Sequence, residues 1–139
     1  MAREVFLDSS GLYALADRQD PAHAAAQQRV HRLASGGSRL ILTDYILDES
    51  ITLARARAGV MAALKLLQIV EQSNALTLVW VGEERFDLAK AYFRKHADHD
   101  FSFTDCTSFV VMRELKLKEA LTTDRRFAEA GFRPLLPLT

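Results

Sequence analysis

Short apolar runs alternate with longer amphipathic ones along the chain. Val5-Phe6-Leu7 is a buried-strand signal, stopped by the turn formers Asp8-Ser9-Ser10-Gly11. Asp20-Pro21 reads as a helix N-cap followed by proline in the first turn. The alanine-rich run behind it ends at Gly36-Gly37, a helix stop. A second strand is expected at Leu40–Thr43, then a helix from Asp44 to Arg57, a break at Gly59 and a further helix from Val60 to Gln72. Ala75–Val81 is the clearest strand, being apolar and rich in β-formers. Glu83–Ala97 predicts an amphipathic helix with Phe86, Ala89, Phe93 and Ala97 on its inner face and Lys90 at the edge. A loop over Asp98–Phe103 leads to a helix from Thr104 to about Lys116. Glu119–Thr122 follows as a strand, then a short helix over Arg125–Ala130 stopped by Gly131. Arg133–Leu136 predicts a weak last strand, and Pro134 places it at a sheet edge.

Strands alternating with helices imply βαβ units, hence a central, mostly parallel sheet covered by helices on both faces. With 139 residues and no linker, repeat or low-complexity tract, one domain over 1–139 is expected. The lone Cys106 excludes an intramolecular disulfide and any CxxC pair. The first apolar run is too short for a signal peptide or a membrane span, so a cytoplasmic protein with no membrane attachment is expected. Eighteen basic residues balance eighteen acidic ones. Nucleic acid, if bound, must therefore meet local basic patches rather than a generally basic surface.

Within that pattern four acids stand in unusual places. Asp8 directly follows the first strand, and Asp124 follows the strand ending at Thr122. In open parallel sheets ligands bind beyond the carboxyl ends of strands, and both acids fall on that edge. Glu49 lies between Tyr45 and Leu53 on the apolar arc of its helix, whereas Asp48 lies on the polar side. A carboxylate turned inward is costly unless paired or bound to metal. Asp105 opens the helix that begins near Thr104, where the helix dipole favours an ionised carboxylate. Alone, each of these is equally a turn, capping or salt-bridged acid. Together they could surround one crevice, with Ser9, Ser10, Thr104 and Thr123 beside them as small hydroxyl residues. Oxygen-only donors suit a hard cation such as Mg²⁺. His96 and His99 lack a third soft ligand, so zinc is disfavoured.

In order and spacing, the segments VFLDSSGLYAL, LILTDYILDESITL, FSFTDCTSFVVM and ALTTDRRFAEAGF resemble the PIN-domain family, and within it the VapC-type toxins of toxin–antitoxin pairs. The resemblance covers nearly the whole chain and implies a three-layer α/β/α fold. It also implies a metal-dependent endoribonuclease whose acids match Asp8, Glu49, Asp105 and Asp124, with Ser9 and Thr104 as family-typical neighbours. A homodimer and a cognate antitoxin are further implications.

On that basis Asp8, Glu49 and Asp105 are expected to hold a principal Mg²⁺ or Mn²⁺, with Asp124 completing a second site. Arg125 and Arg126, immediately after Asp124, are the first candidates to meet RNA, with Arg55 on the Glu49 helix as a third; Arg57 leaves the same helix. Two alternatives remain at this stage: an orphan PIN nuclease acting in RNA processing, and a non-catalytic PIN-like interaction module. A phospho-acceptor domain is disfavoured because no second acid stands two positions after Asp8. A dinucleotide-binding fold is disfavoured because no GxGxxG follows the first strand.

Overall fold

The computed structural model describes residues 3–139. In chain order it contains β1 (Glu4–Leu7), α1 (Ser9–Ala16), α2 (His23–Ser35), β2 (Arg39–Thr43), α3 (Asp44–Ala58), α4 (Val60–Gln72) and β3 (Leu76–Val79). These are followed by α5 (Gly82–Lys95), α6 (Phe103–Glu114), β4 (Glu119–Leu121), α7 (Arg125–Glu129) and β5 (Arg133–Pro134). The strands form one five-stranded sheet in the order β3-β2-β1-β4-β5. Every adjacent pair is parallel. The sheet is flanked by helices, giving the α/β/α layering expected of alternating elements.

The strand order places the site. From β1 the chain moves outward on one side, to β2 and then β3, and returns across β1 to add β4 and β5 on the other. The reversal opens a crevice beyond the carboxyl ends of β1 and β4, the usual ligand position in open parallel sheets. Asp8 and Asp124 both follow those strand ends.

Val5, Phe6 and Leu7 are fully buried, as are Leu40 and Leu42 of β2 and Ala120 and Leu121 of β4. Phe109 and Met112 of α6, Leu12 of α1 and Ile46 of α3 complete the core around them. Near-continuous apolar strands of this kind are what burial on both faces demands.

Several elements depart from the sequence expectation. Ser9–Ala16 is a helix, where Ser9-Ser10-Gly11 had read only as a turn. Serine and glycine are poor helix formers, but burial of Leu12, Tyr13, Ala14 and Ala16 overrides that local preference. Gly11 serves this packing: a Cβ there would overlap the Leu121 carbonyl oxygen of β4. α2 starts at His23, not after an Asp20 cap. Asp20 instead accepts from the Ala22 amide at 2.8 Å, closing a local turn. β3 ends at Val79, leaving Trp80 exposed. On α5 the inward side chains are Phe86, Ala89 and Tyr92, followed by the C-cap His96, while Phe93 and, beyond the helix, Ala97 are exposed. The apolar face is rotated because α5 packs against α6, where Tyr92 meets Phe109 with ring centroids 5.8 Å apart.

Candidate active site

Asp8 follows the end of β1 and is only 4% exposed. It holds the N-cap position of α1, yet its side chain makes no capping bond. Its Oδ2 instead accepts from the Thr122 hydroxyl at 2.7 Å and the Ser10 hydroxyl at 3.0 Å. Those hydroxyls in turn accept from the Asp124 and Thr123 amides, each at 3.0 Å. The β1–β4 register pairs Leu7 with Leu121, so the next residues along, Asp8 and Thr122, fall side by side. Thr122 was missed by the sequence reading, which favoured Thr123. Its only sequence signal is a hydroxyl at the polar end of a buried strand.

Glu49 is half-buried and Asp48 exposed, as the helical arc anticipates. Glu49 Oε1 accepts from the Ser9 hydroxyl at 2.6 Å, which ties α3 to the start of α1. Asp105 is the third residue of α6 and closes a capping box. Its Oδ2 accepts from the Ser102 amide at 2.9 Å, while Ser102 Oγ accepts from the Asp105 amide at 2.9 Å. Thr104, one residue before, is half-buried, and its carbonyl accepts from the Thr107 hydroxyl at 2.6 Å. Asp124 caps α7 through Oδ1, which accepts from the Arg126 amide at 2.9 Å and from its guanidinium at 3.3 Å.

The four carboxylates influence one another through charge. Burial pushes Asp8 up to about 6, and the negative charge of Asp105 adds to this against hydrogen bonds from Thr122 and Ser10. Asp105 also rises to about 6, chiefly through burial, with the charges of Asp124 and Glu49 contributing against the Ser102 bonds. Burial is the larger cause for both Asp8 and Asp105, and the neighbouring negative charges reinforce it.

Among the described residues, no three His, Cys, Asp or Glu side chains stand close enough to form a ready-made metal cage. The donor set nonetheless fits a hard cation. All four side chains offer oxygen only, and the charge they gather is what a divalent ion would neutralise. For Glu49, Asp105 and Asp124 one oxygen is fixed by protein, and the other makes no protein hydrogen bond among the described residues. Mg²⁺ keeps several waters and needs few direct carboxylate bonds.

A cleft of about 490 Å³ is lined by Ser9, Ser10, Tyr13, Thr123, Asp124 and Arg57, among others, and Asp124 is the one of the four acids in its wall. Arg125 and Arg126 also line it, but both are engaged elsewhere. Arg126 reaches Asp100 at 2.8 Å, and Arg125 lies 3.6 Å from Asp100 and 3.4 Å from Glu129. Arg55 is exposed and does not line the cleft.

The parallel sheet thus gathers acidic side chains near its switch point. The chain belongs to the PIN-domain family, whose profile matches residues 5–133. It is 30% identical to the 23S rRNA-specific endonuclease VapC20 of Mycobacterium tuberculosis, over 96% of this chain and 98% of that protein. A VapC ribonuclease of Archaeoglobus fulgidus is 34% identical over 71% of this chain and 62% of its own length. The crystal structure of the Mycobacterium tuberculosis VapC20, described as a sarcin–ricin loop cleaving toxin, superposes with a TM-score of 0.86. That match is 28% identical and covers 96% of this chain and 99% of the other.

Proposed function

We propose that this chain is a metal-dependent endoribonuclease, the toxin of a VapC-type toxin–antitoxin pair, hydrolysing RNA phosphodiester bonds. The observation that carries the reading is the carboxylate group around Asp8. The buried Asp8 and the half-buried Asp105 both have carboxyls raised to about 6 beyond the strand ends, a pattern common at functional sites. The near full-length likeness to ribonucleases of this type points to the same chemistry.

In this reading Asp8, Glu49 and Asp105 hold Mg²⁺ or Mn²⁺, and Asp124 completes the site when substrate is present. The bound cation supplies a water acidified to near-neutral pH and neutralises charge on the phosphodiester. The protein's own part is orientation. Thr122 and Ser10 fix the Asp8 carboxylate, Ser9 fixes Glu49, and the capping box fixes Asp105. Thr123, Thr104, Arg125 and Arg126 border the acids, and the two arginines are available to RNA once Asp100 releases them. A cognate antitoxin, a homodimer and a cytoplasmic setting belong to the same proposal. No described helix is long and apolar enough to cross a membrane.

The relative's 23S rRNA specificity makes a sarcin–ricin-type stem–loop the first substrate to try. Cleavage is measured with Mg²⁺, with Mn²⁺ and with EDTA, comparing wild type with Asp8→Asn. Discrete cuts that need metal and vanish in the folded variant are expected. Cutting that persists in EDTA, or in Asp8→Asn, would refute the assignment.

A further inference from the structure

Three cations face the cleft, and they differ in what holds them. Arg126 donates to the Asp100 carboxylate and carbonyl and to Asp124. Arg125 is paired with Asp100 and Glu129. Arg57 forms no ion pair among the described residues. Its guanidinium instead lies over the Tyr13 ring, 5.7 Å from the centroid. Tyr13 is itself buried and anchored, its hydroxyl donating to Asp17 at 2.7 Å. A guanidinium attracted to a ring through its face keeps donors for a planar acceptor such as phosphate.

Its position is set by helical spacing. Glu49, Leu53 and Arg57 recur every four residues, so they form one stripe on α3. Glu49 meets Ser9 at one end of that stripe, and Leu53 and Arg57 line the cleft. Eight residues of helix separate Arg57 from Glu49 by roughly 12 Å along the axis. That offset suits a phosphate further along the strand than the one at the acids. Asp20 and Asp124 also line the cleft, and of its three cations Arg57 is the one without a carboxylate partner among the described residues.

We infer that Arg57, presented on the Tyr13 ring, seats a non-scissile phosphate of the RNA backbone and so positions the substrate strand across the acids. This rests on the nuclease reading and adds a subsite to it. Arg57 is a positioning residue, since it lies away from the reacting bond. Arg125 and Arg126 must first break their pairing with Asp100, whereas Arg57 is available from the outset.

The test compares wild type, Arg57→Gln, Arg57→Lys and Arg55→Gln on one RNA stem–loop with Mn²⁺. Affinity is measured separately by anisotropy in an Asp8→Asn background. Loss of one charged hydrogen bond predicts roughly a tenfold rise in KM and Kd for Arg57→Gln. Its kcat should stay within about twofold, since the interaction is equal in ground and transition states. The salt dependence of binding should become shallower by roughly 0.7 in log–log slope, one phosphate contact on a single strand. Arg57→Lys should recover part of the affinity and Arg55→Gln should match wild type. Thermal melting of all variants checks the fold. If wild type cuts RNA and Arg57→Gln keeps its KM and salt slope, or Arg55→Gln loses as much, this inference alone falls. If wild type neither cuts nor binds RNA, the nuclease reading falls with it.

Discussion

Replacing Asp8 with asparagine should make the metal-free protein more stable while abolishing its activity. Asp8 is 4% exposed, and burial lifts its carboxyl from 3.8 to about 6. A raised folded pKa means the protonated form is the one the fold favours. That stability is fully present below about 3.8 and is lost as pH rises through about 6. At pH 7.5 the wild type therefore bears the full cost of the buried charge. A shift of about two units at 1.36 kcal/mol each sets an upper bound of about 3 kcal/mol. The hydrogen bonds from Thr122 and Ser10 already oppose burial within that shift, so nothing further is subtracted for them. A gain of up to about 3 kcal/mol corresponds to roughly 6–15 °C in Tm for a domain of this size. The assay is thermal unfolding in EDTA from pH 4 to pH 8. The two proteins should melt together near pH 4 and separate above pH 6. Saturating Mn²⁺ should then raise wild type selectively and narrow the gap, since a ligand held by the fold stabilises it by mass action. A variant that melts at or below wild type at pH 7.5, or a gap that does not change with pH, would refute the reasoning.

Gly11→Ala should cost about 3 kcal/mol, because the added Cβ meets the Leu121 backbone and α1 must shift off β4. Asp8, Ser9 and Ser10 ride on the same segment, so RNA cleavage should fall with it; a melt within 1–2 °C of wild type would contradict the packing argument. Ser102→Ala removes one half of the α6 capping box and should lower stability by about 1 kcal/mol, read from urea unfolding. An unchanged midpoint would show that the Asp105 carboxylate alone holds the helix end.

Local patterns along the chain determined a good part of this protein. The break between α3 and α4 at Gly59 follows from a backbone that needs φ 93° there, which glycine permits. Pro134 at the sheet edge and Asp48 outside Glu49 follow from hydrogen-bonding capacity and helical period, both readable residue by residue. The parallel α/β architecture follows from the order of the elements. Other features depend on partners distant in sequence. Ser9-Ser10-Gly11 becomes helix because burial against the rest of the core outweighs weak local propensity. Thr122 bonds Asp8 because the β1–β4 register sets them side by side across 114 residues of chain. Tyr92 rather than Phe93 turns inward because α6 sets the rotation of α5. Arg125 and Arg126 are tied to Asp100, and Arg57 rather than Arg55 faces the cleft. Helix and strand periods are properties of neighbours along the chain, so sequence carries them. Register, helix rotation and ion pairing are settled by contacts between elements, which exist only once the sheet and its helices have packed.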